Sequence, residues 1–519
     1  MRLADVVSAS RAVADTTGRL EKIGRLARLL KQLAPDEVEI AVAFLSGSPV
    51  QGRIGVAWST IARVRAIEPS AAAILELKDV DTCFGRIAAT SGRGAAGARD
   101  RLLHDLFSRA TFDEQDFLVR LISGELRQGA LEGVLIEAVS RAAAVPADRI
   151  RRAAMLAGTL APVARAVLAE AEQDLSRFSL QLFQPIQPML AQTAVDVDEA
   201  LEDLGEASLE YKLDGARIQM HKSGDDIKVY TRNLRDVTGA VPEVVEAGRT
   251  ITARELVLDG EAIAVRPDGT PQPFQITMRR FGRKLDVEKM RASLPVVPIF
   301  FDCLYLDGDP IIDQPHARRS AAMAERVPVK FIVPRIVTAS AAEAADFFEC
   351  SLRTGHEGVM AKAVNGFYAA GRRGQAWLKI KRARTLDLVV LAAEWGHGRR
   401  RGSLSNLHLG ARSDQDGFVM LGKTFKGLTD EMLGWQTKKL LELEVARDAY
   451  TVYVRPELVV EIAFNDLQES PVYSGGLALR FARVKRYRTD KAPGEADTFA
   501  AVQQIYRQTT GCEPPVARN

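Results

Sequence analysis

Residues 208–217 read Ser-Leu-Glu-Tyr-Lys-Leu-Asp-Gly-Ala-Arg. Apolar Leu209, Tyr211 and Leu213 alternate with Glu210, Lys212 and Asp214. That is the period-two pattern of a strand, and it predicts that the three charged side chains share one face. Gly215 ends the alternation and allows a close backbone approach. Taken alone, a charged triplet reads more readily as a solvated strand face than as a reactive site. A lysine between carboxylates can also be a nucleophile toward phosphorus in a nucleotide cleft.

A nucleophilic lysine needs help. Its free amine has a pKa of about 10.4, so on the order of one in a thousand is neutral at pH 7. Nearby cations lower that pKa, and Lys379, Lys381 or a bound Mg²⁺ are candidates. Glu210 and Asp214 act in the opposite sense if they bind no metal. Glu261 and Glu357 are the kind of oxygen ligand that holds Mg²⁺ together with waters and substrate oxygens. Charge builds on phosphate oxygens during transfer, so fixed cations are needed. Arg217, Arg232, Arg373, Lys379 and Lys381 can supply them. Phe301, on an apolar strand, is available to stack on a base.

The elements that position these residues change character along the chain. Residues 1–175 are rich in Ala, Leu and Arg with helical periodicity. In 17–34, Leu20, Ile23, Leu26 and Leu30 form one stripe. Asp36 is a candidate cap for the next helix, which Gly47 closes. Further helices are predicted over 70–90, 98–110, 113–123, 130–144 and 147–174. Gly124, Gly129 and Gly133 punctuate 121–133 around Arg127, which suits either plain caps or phosphate contacts at helix N-termini. Pro185 and Pro188 stiffen a linker over 176–192 and mark a hinge.

From 205 to about 385 the pattern is mixed α and β. A hairpin turns at 223–226 and ends at Arg232 and Asn233. Residues 257–265 place Asp259 and Glu261 on one strand face, and 296–308 form a buried strand. A helix over 340–353 precedes 355–363. In 377–381, Trp377, Lys379 and Lys381 face one way and Leu378 and Ile380 the other. From 386 onward short strands surround one helix near 428–446, which suits a small closed barrel. Basic stretches at 397–403 and 480–488 each read as a solvated face; together in one small barrel they favour polyanion binding.

The chain has 519 residues, 47% hydrophobic, with a formal net charge of +3. That length implies several domains, and the near-neutral charge announces no nucleic-acid binder by itself. Cys83, Cys303, Cys350 and Cys512 are scattered with no Cys-x-x-Cys pair, which argues against a zinc site and for a reducing compartment. There is no signal-peptide pattern, no apolar run of membrane-spanning length and no P-loop motif. The expectation is an intracellular protein of the cytoplasm or nucleoid, without a membrane partner.

The motifs then fall into a known order. Residues 212–217 (KLDGAR) resemble the Lys-x-Asp-Gly-x-Arg signature of covalent nucleotidyltransferases. Residues 231–233, 258–263, 301–308, 356–362 and 377–381 resemble the later motifs of that superfamily, and 488–491 (RTDK) resemble the last. Residues 188–191 (PMLA) and 124–129 (GELRQG) resemble ATP-dependent DNA ligases. The match covers about residues 1–505.

The resemblance implies a multidomain fold: an all-α DNA-binding domain over 1–178, an α+β nucleotidyltransferase domain over 179–385 and a β-barrel OB-fold over 386–506. A disordered tail over 507–519 is expected. Lys212 would form a covalent lysyl–AMP from ATP. Glu210 would line the adenine site and Phe301 would stack on the base. Arg217 and Arg232 would lie by the ribose and phosphates. Glu261 would contact the ribose or a metal, and Glu357 would help to hold Mg²⁺. Arg373, Lys379 and Lys381 would bind phosphate. Arg488, Asp490 and Lys491 would orient the pyrophosphate, and Arg127 would contact DNA.

The implied reaction is nick sealing in duplex DNA by a monomer that clamps around its substrate, in repair, replication or recombination. Ala361 departs from the apolar residue many relatives carry, and 485–488 (KRYR) is more basic than the motif needs. A capping enzyme or RNA ligase would not be expected to carry this helical domain. An NAD-dependent ligase would bring a cysteine-rich module. A non-catalytic DNA-binding scaffold would not keep the whole motif set.

Overall fold

The computed structural model describes residues 1–510 apart from 17, 53, 93, 127–131, 171–174, 282–286, 370–372, 382–383, 398–399 and 414–416. Among the described residues the first part is helical, from Leu3–Asp15 to Leu160–Leu168. Its core includes Val6, Leu26, Phe44, Phe84, Leu103, Leu135 and Val163. Three local expectations fail here. Leu20 is 78% exposed, because the helix Arg19–Leu30 turns Ile23, Leu26 and Leu30 inward and leaves Leu20 at its first turn. The helix Val38–Leu45 has Glu37, not Asp36, at its N-cap, while the Asp36 carboxylate pairs with Lys78. The long helix expected over 147–174 is broken at Gly158, which takes φ +77° between Ala147–Ala157 and Leu160–Leu168.

Among the described residues the central part holds nine strands: β1 (Leu190–Thr193), β2 (Ala207–Tyr211), β3 (Ala216–Ser223), β4 (Asp226–Thr231), β5 (Glu255–Ala264), β6 (Val296–Leu306), β7 (Arg335–Thr338), β8 (Gly358–Ala363) and β9 (Arg373–Lys381). They make two sheets, ordered β1-β9-β8-β2-β7 and β4-β3-β5-β6. Apolar residues of each sheet seed separate cores. Leu209, Val359, Leu378 and Ile380 lie in one, and Ile218, Met220, Leu258 and Phe300 in the other. Since β2 and β3 belong to different sheets, residues 212–215 form the crossover between them.

The segment read as a linker and hinge is instead a strap pinned on both sides. Ile186 is fully buried, donates its N–H to Gln219 Oε1 at 2.9 Å and accepts from Gln219 Nε2 at 3.2 Å. The Gln187 N–H donates to the Met155 carbonyl at 3.0 Å, and Tyr230 donates its hydroxyl proton to the Phe183 carbonyl at 2.8 Å. Met155 and Leu156 of the helical part share a core with Leu180, Ile186, Val257, Leu304 and Trp377. Polar side chains thus satisfy a buried irregular backbone. Met1–Ile380 forms one compact unit that holds both the helical part and the two sheets.

The second unit begins at Lys381 rather than 386, because Arg384 already starts a strand. Its strands are β10 (Arg384–Trp395), β11 (Leu404–Arg412), β12 (Phe418–Thr424), β13 (Glu444–Arg447), β14 (Thr451–Val454), β15 (Val459–Phe464), β16 (Asp466–Glu469), β17 (Leu477–Arg480) and β18 (Arg483–Tyr487). The long β10 pairs with β11, β14 and β15, and β15 also pairs with β18. The helix Asp430–Glu442 packs Leu433 and Leu440 into the same core as Leu388, Leu409 and Ile462. This strand-rich region is consistent with an OB-fold. A tail starting at 507 is not what is found: the helix Phe499–Thr510 continues past that point, anchored by Val502 and Tyr506. No helix among the described residues is long and apolar enough to cross a membrane.

Candidate active site

Lys212 sits just beyond the end of β2, on the crossover, so the expected single strand face of Glu210, Lys212 and Asp214 does not form. The crossover is tied to the start of β8. The Lys212 N–H donates to the Gly358 carbonyl at 2.8 Å, and the Glu357 N–H donates to the Lys212 carbonyl at 3.1 Å. Gly358 is required there: φ is +136°, and a Cβ would lie 2.2 Å from the Ile380 carbonyl oxygen. Gly215 is required by close approach to β5, since a Cβ would meet the Ala262 carbonyl oxygen at 2.4 Å and Glu261 Cγ at 2.8 Å.

This lacing brings the Glu357 carboxylate onto the Lys212 ammonium as a partly buried hydrogen-bonded ion pair. Burial pulls the Lys212 pKa down, but Glu357, then Glu261 and Asp214, outweigh it, and the pKa lies above the ordinary lysine value. The largest charges acting on Lys212 are the carboxylates of Glu357, Glu261 and Asp214, the sense expected of carboxylates that bind no metal. Glu261, on β5 opposite Arg217 of β3, feels the converse: burial pushes its carboxyl up to about 7 despite Lys212 and Arg217. Asp214 accepts the N–H of Phe274, the first residue of the helix Phe274–Phe281, at 3.3 Å.

Arg217 lies deeper. Its guanidinium forks onto Asp259 at 3.0 and 2.6 Å and donates to the Met189 carbonyl at 2.6 Å. The Tyr368 hydroxyl donates to Asp259 at 2.7 Å. Tyr368 was not singled out from the sequence, where a lone tyrosine on a loop carries no signal. Phe301 meets Trp377 edge to face at 6.0 Å. Glu210 is 2% exposed, with Oε2 2.6 Å from the Lys362 ammonium and Oε1 3.3 Å from His316 Nε2. Burial alone would raise the Glu210 pKa, but Lys362 and His316 hold it below the usual range. Lys362 also donates to the Phe301 carbonyl at 3.0 Å and lies 4.3 Å from the centre of the Trp377 ring. Lys362 and His316 were missed; a buried ionic partner looks like any other charged residue until strands pair.

The other expected residues spread out. Arg232 is exposed on the turn after β4. Lys379 and Lys381 are partly buried on β9, and of Arg373 only its place on that strand is described. Arg127 lies outside the described residues, as do 398 and 399 of the first basic stretch. In the second unit Arg488 and Lys491 converge on Asp387 at 2.8 and 2.6 Å, and Arg488 also pairs with Asp490 at 2.7 Å.

A lysine held by carboxylates at the junction of two sheets fits covalent nucleotidyl transfer, and comparison with known proteins decides the family. The profile of the DNA ligase N terminus matches residues 59–140, that of the ATP dependent DNA ligase domain 188–381, and that of the ATP dependent DNA ligase C terminal region 400–491. A "Probable DNA ligase" of Anaeromyxobacter sp. (strain Fw109-5) is 58% identical over 516 residues, covering 99% of each chain. The chain belongs to the ATP-dependent DNA ligase family. A "Probable DNA ligase" of Mycobacterium marinum (strain ATCC BAA-535 / M) is 52% identical over 98% of this ligase and 100% of its own chain. The solved structure Pmar-Lig_Pre, at 17% identity, shares the fold over 93% of this ligase and 99% of its own chain, with a TM-score of 0.60.

Proposed function

We propose that the ligase seals nicks in duplex DNA with Lys212 as its nucleophile. The observation that carries this is the Lys212–Glu357 pair on the sheet crossover, with Glu261 and Asp214 as the further charges that Lys212 feels. No group of three or more metal-ligating side chains exists among the described residues, so a metal cage is not prebuilt. Two carboxylates, one of them pushed up to about 7, nevertheless suit Mg²⁺, which takes its other ligands from phosphates and water. Bound by Glu357 and Glu261, Mg²⁺ would supply positive charge that neutralises phosphate oxygens and favours the neutral amine.

Neutral Lys212 attacks the α-phosphorus of ATP. A nitrogen–phosphorus bond forms, the bond to the β-phosphate bridging oxygen breaks, and pyrophosphate leaves with that electron pair. The 5′-phosphate at the nick then displaces Lys212 and takes the AMP. The 3′-hydroxyl finally attacks that 5′-phosphorus, loses its proton and expels AMP. Phe301 and Glu210 flank the base; Arg217 and Arg232 serve the ribose and phosphate side; Arg373, Lys379 and Lys381 carry phosphate charge. Arg488, Asp490 and Lys491 guide pyrophosphate departure, and Arg127 belongs to the DNA contact surface. The three parts act as a clamp on the duplex.

Incubation with labelled ATP, GTP or NAD followed by a denaturing gel tests the reading. ATP alone should label the chain, and Lys212→Ala should abolish the label. A nicked DNA duplex beside a nicked RNA then identifies the strand that is sealed. Absence of label from ATP, or label retained by Lys212→Ala, sinks the assignment.

A further inference from the structure

His316 opens the helix His316–Arg326, donates its N–H to the Gly366 carbonyl at 2.9 Å and is 1% exposed. Its imidazole lies between two buried carboxylates. Nε2 is 3.3 Å from Glu210 Oε1, and Nδ1 is 3.9 Å from Asp302 Oδ2. Asp302 is already satisfied by Arg319, which forks onto it at 2.7 and 3.0 Å. Glu210 is not. Lys362 holds Oε2, while Oε1 and both ring nitrogens of His316 lack a well-aligned hydrogen bond among the described residues.

Three unsatisfied polar atoms at one buried point are unusual, because such atoms are normally paired. An apolar side chain would fill this place at the start of a helix with less penalty. Glu210 is two residues from Lys212 in sequence, and His316 lies against its Oε1 at 3.3 Å; Glu210 is the carboxylate that lines the base site in the reading above, on which this inference rests.

We infer that His316 is a positioning residue for Glu210: it fixes the free carboxylate oxygen so that the base-lining side chain discriminates adenine from guanine. Lys362 sets one oxygen and His316 the other, so the carboxylate plane cannot rotate. An amino group on a purine edge donates an N–H to a fixed acceptor, whereas a carbonyl at the same place meets repulsion. Without His316, Oε1 is free to turn, and the acceptor is no longer presented in one direction. His316 itself touches no reacting atom, so the chemistry at Lys212 proceeds as before once nucleotide is bound.

The test compares His316→Leu, His316→Gln and Glu210→Gln in the full chain, by labelling Lys212 with ATP or GTP over a concentration series. His316→Leu should raise KM for ATP and lower the ATP-over-GTP ratio of kcat/KM by about tenfold, the scale of one lost polar contact to a charged group. Its kcat for labelling, and single-turnover sealing by chain already carrying AMP, should hold. His316→Gln keeps a donor for the carboxylate and should restore most of the ratio. A folded His316→Leu protein with unchanged KM and ratio overturns the inference while Glu210→Gln still shifts the ratio. If Glu210→Gln leaves the ratio unchanged as well, the placement of Glu210 at the base fails and takes this inference with it. Should His316→Leu not fold, His316→Ala with a wild-type melting profile takes its place: a lowered ATP-over-GTP ratio supports the inference, and an unaltered ratio overturns it.

Discussion

Lys212 and Glu357 are joined twice: ammonium to carboxylate, and Glu357 N–H to Lys212 carbonyl at 3.1 Å. The backbone bond fixes where the two side chains start, and the ion pair keeps the lysine protonated until the carboxylate finds another cation. In the proposed mechanism this is the unreactive protonation state, which loading of nucleotide and metal would change.

Glu357→Gln should bring the Lys212 pKa down, because the largest charge favouring the ammonium is removed. Competitive acylation of Lys212 across pH, read by mass spectrometry in chelator, measures this. The wild-type midpoint should lie above the ordinary lysine range and the variant midpoint below wild type. Labelling with ATP should nevertheless fall by about 10²-fold, since a group acting on transition-state charge is lost. Coincident midpoints would show that the ion pair does not hold the proton.

Glu261 gives a pH dependence of stability. Its folded pKa is raised to about 7, so the folded chain binds a proton more tightly than the unfolded one. The associated stability is fully present below the unfolded glutamate value, about 4.3, and is lost as pH rises through about 7. Glu261→Gln cannot ionise and escapes that loss. In chelator the two proteins should melt alike near pH 4.5, and the variant should melt higher at pH 8. Equal melting at both pH values would contradict a buried, raised carboxyl.

Gly215→Ala should destabilise the fold and disable labelling together. The new Cβ has no space against the Ala262 carbonyl and Glu261 Cγ, and both atoms belong to β5. Overpacking of this kind costs about 1–3 kcal/mol, measurable as a lower denaturation midpoint. Gly224→Ala, at φ +58° and with nothing within 4 Å, carries backbone strain without collision and is the contrast. It should lose less stability and keep its label.

The motif residues were legible because their spacing survives folding. Gly215 and Gly358 meet neighbouring backbone as a Lys-x-Asp-Gly loop and a Glu-Gly turn demand. Period-two reading also placed the β5, β6 and β9 stretches on strands. It failed at Lys212 itself, since alternation in sequence does not reveal that a strand ends at Tyr211 and the chain passes to another sheet. Lys362, His316, Tyr368 and Asp259 escaped notice or assignment for a related reason. Their partners are remote in sequence, 42 positions for Asp259 with Arg217 and 109 for Tyr368 with Asp259, and local pattern carries no trace of such pairs. The Pro-rich strap misled because proline stiffness looks the same in a free linker and in a buried one.

The passage of the chain from β2 to β3 puts Lys212 on a four-residue stitch between two plates of backbone. A tilt of either plate has to pull on that stitch. Substitutions on β4 or β7, the outer neighbours of β3 and β2, can therefore retune Lys212 by leverage, without touching any residue that meets nucleotide.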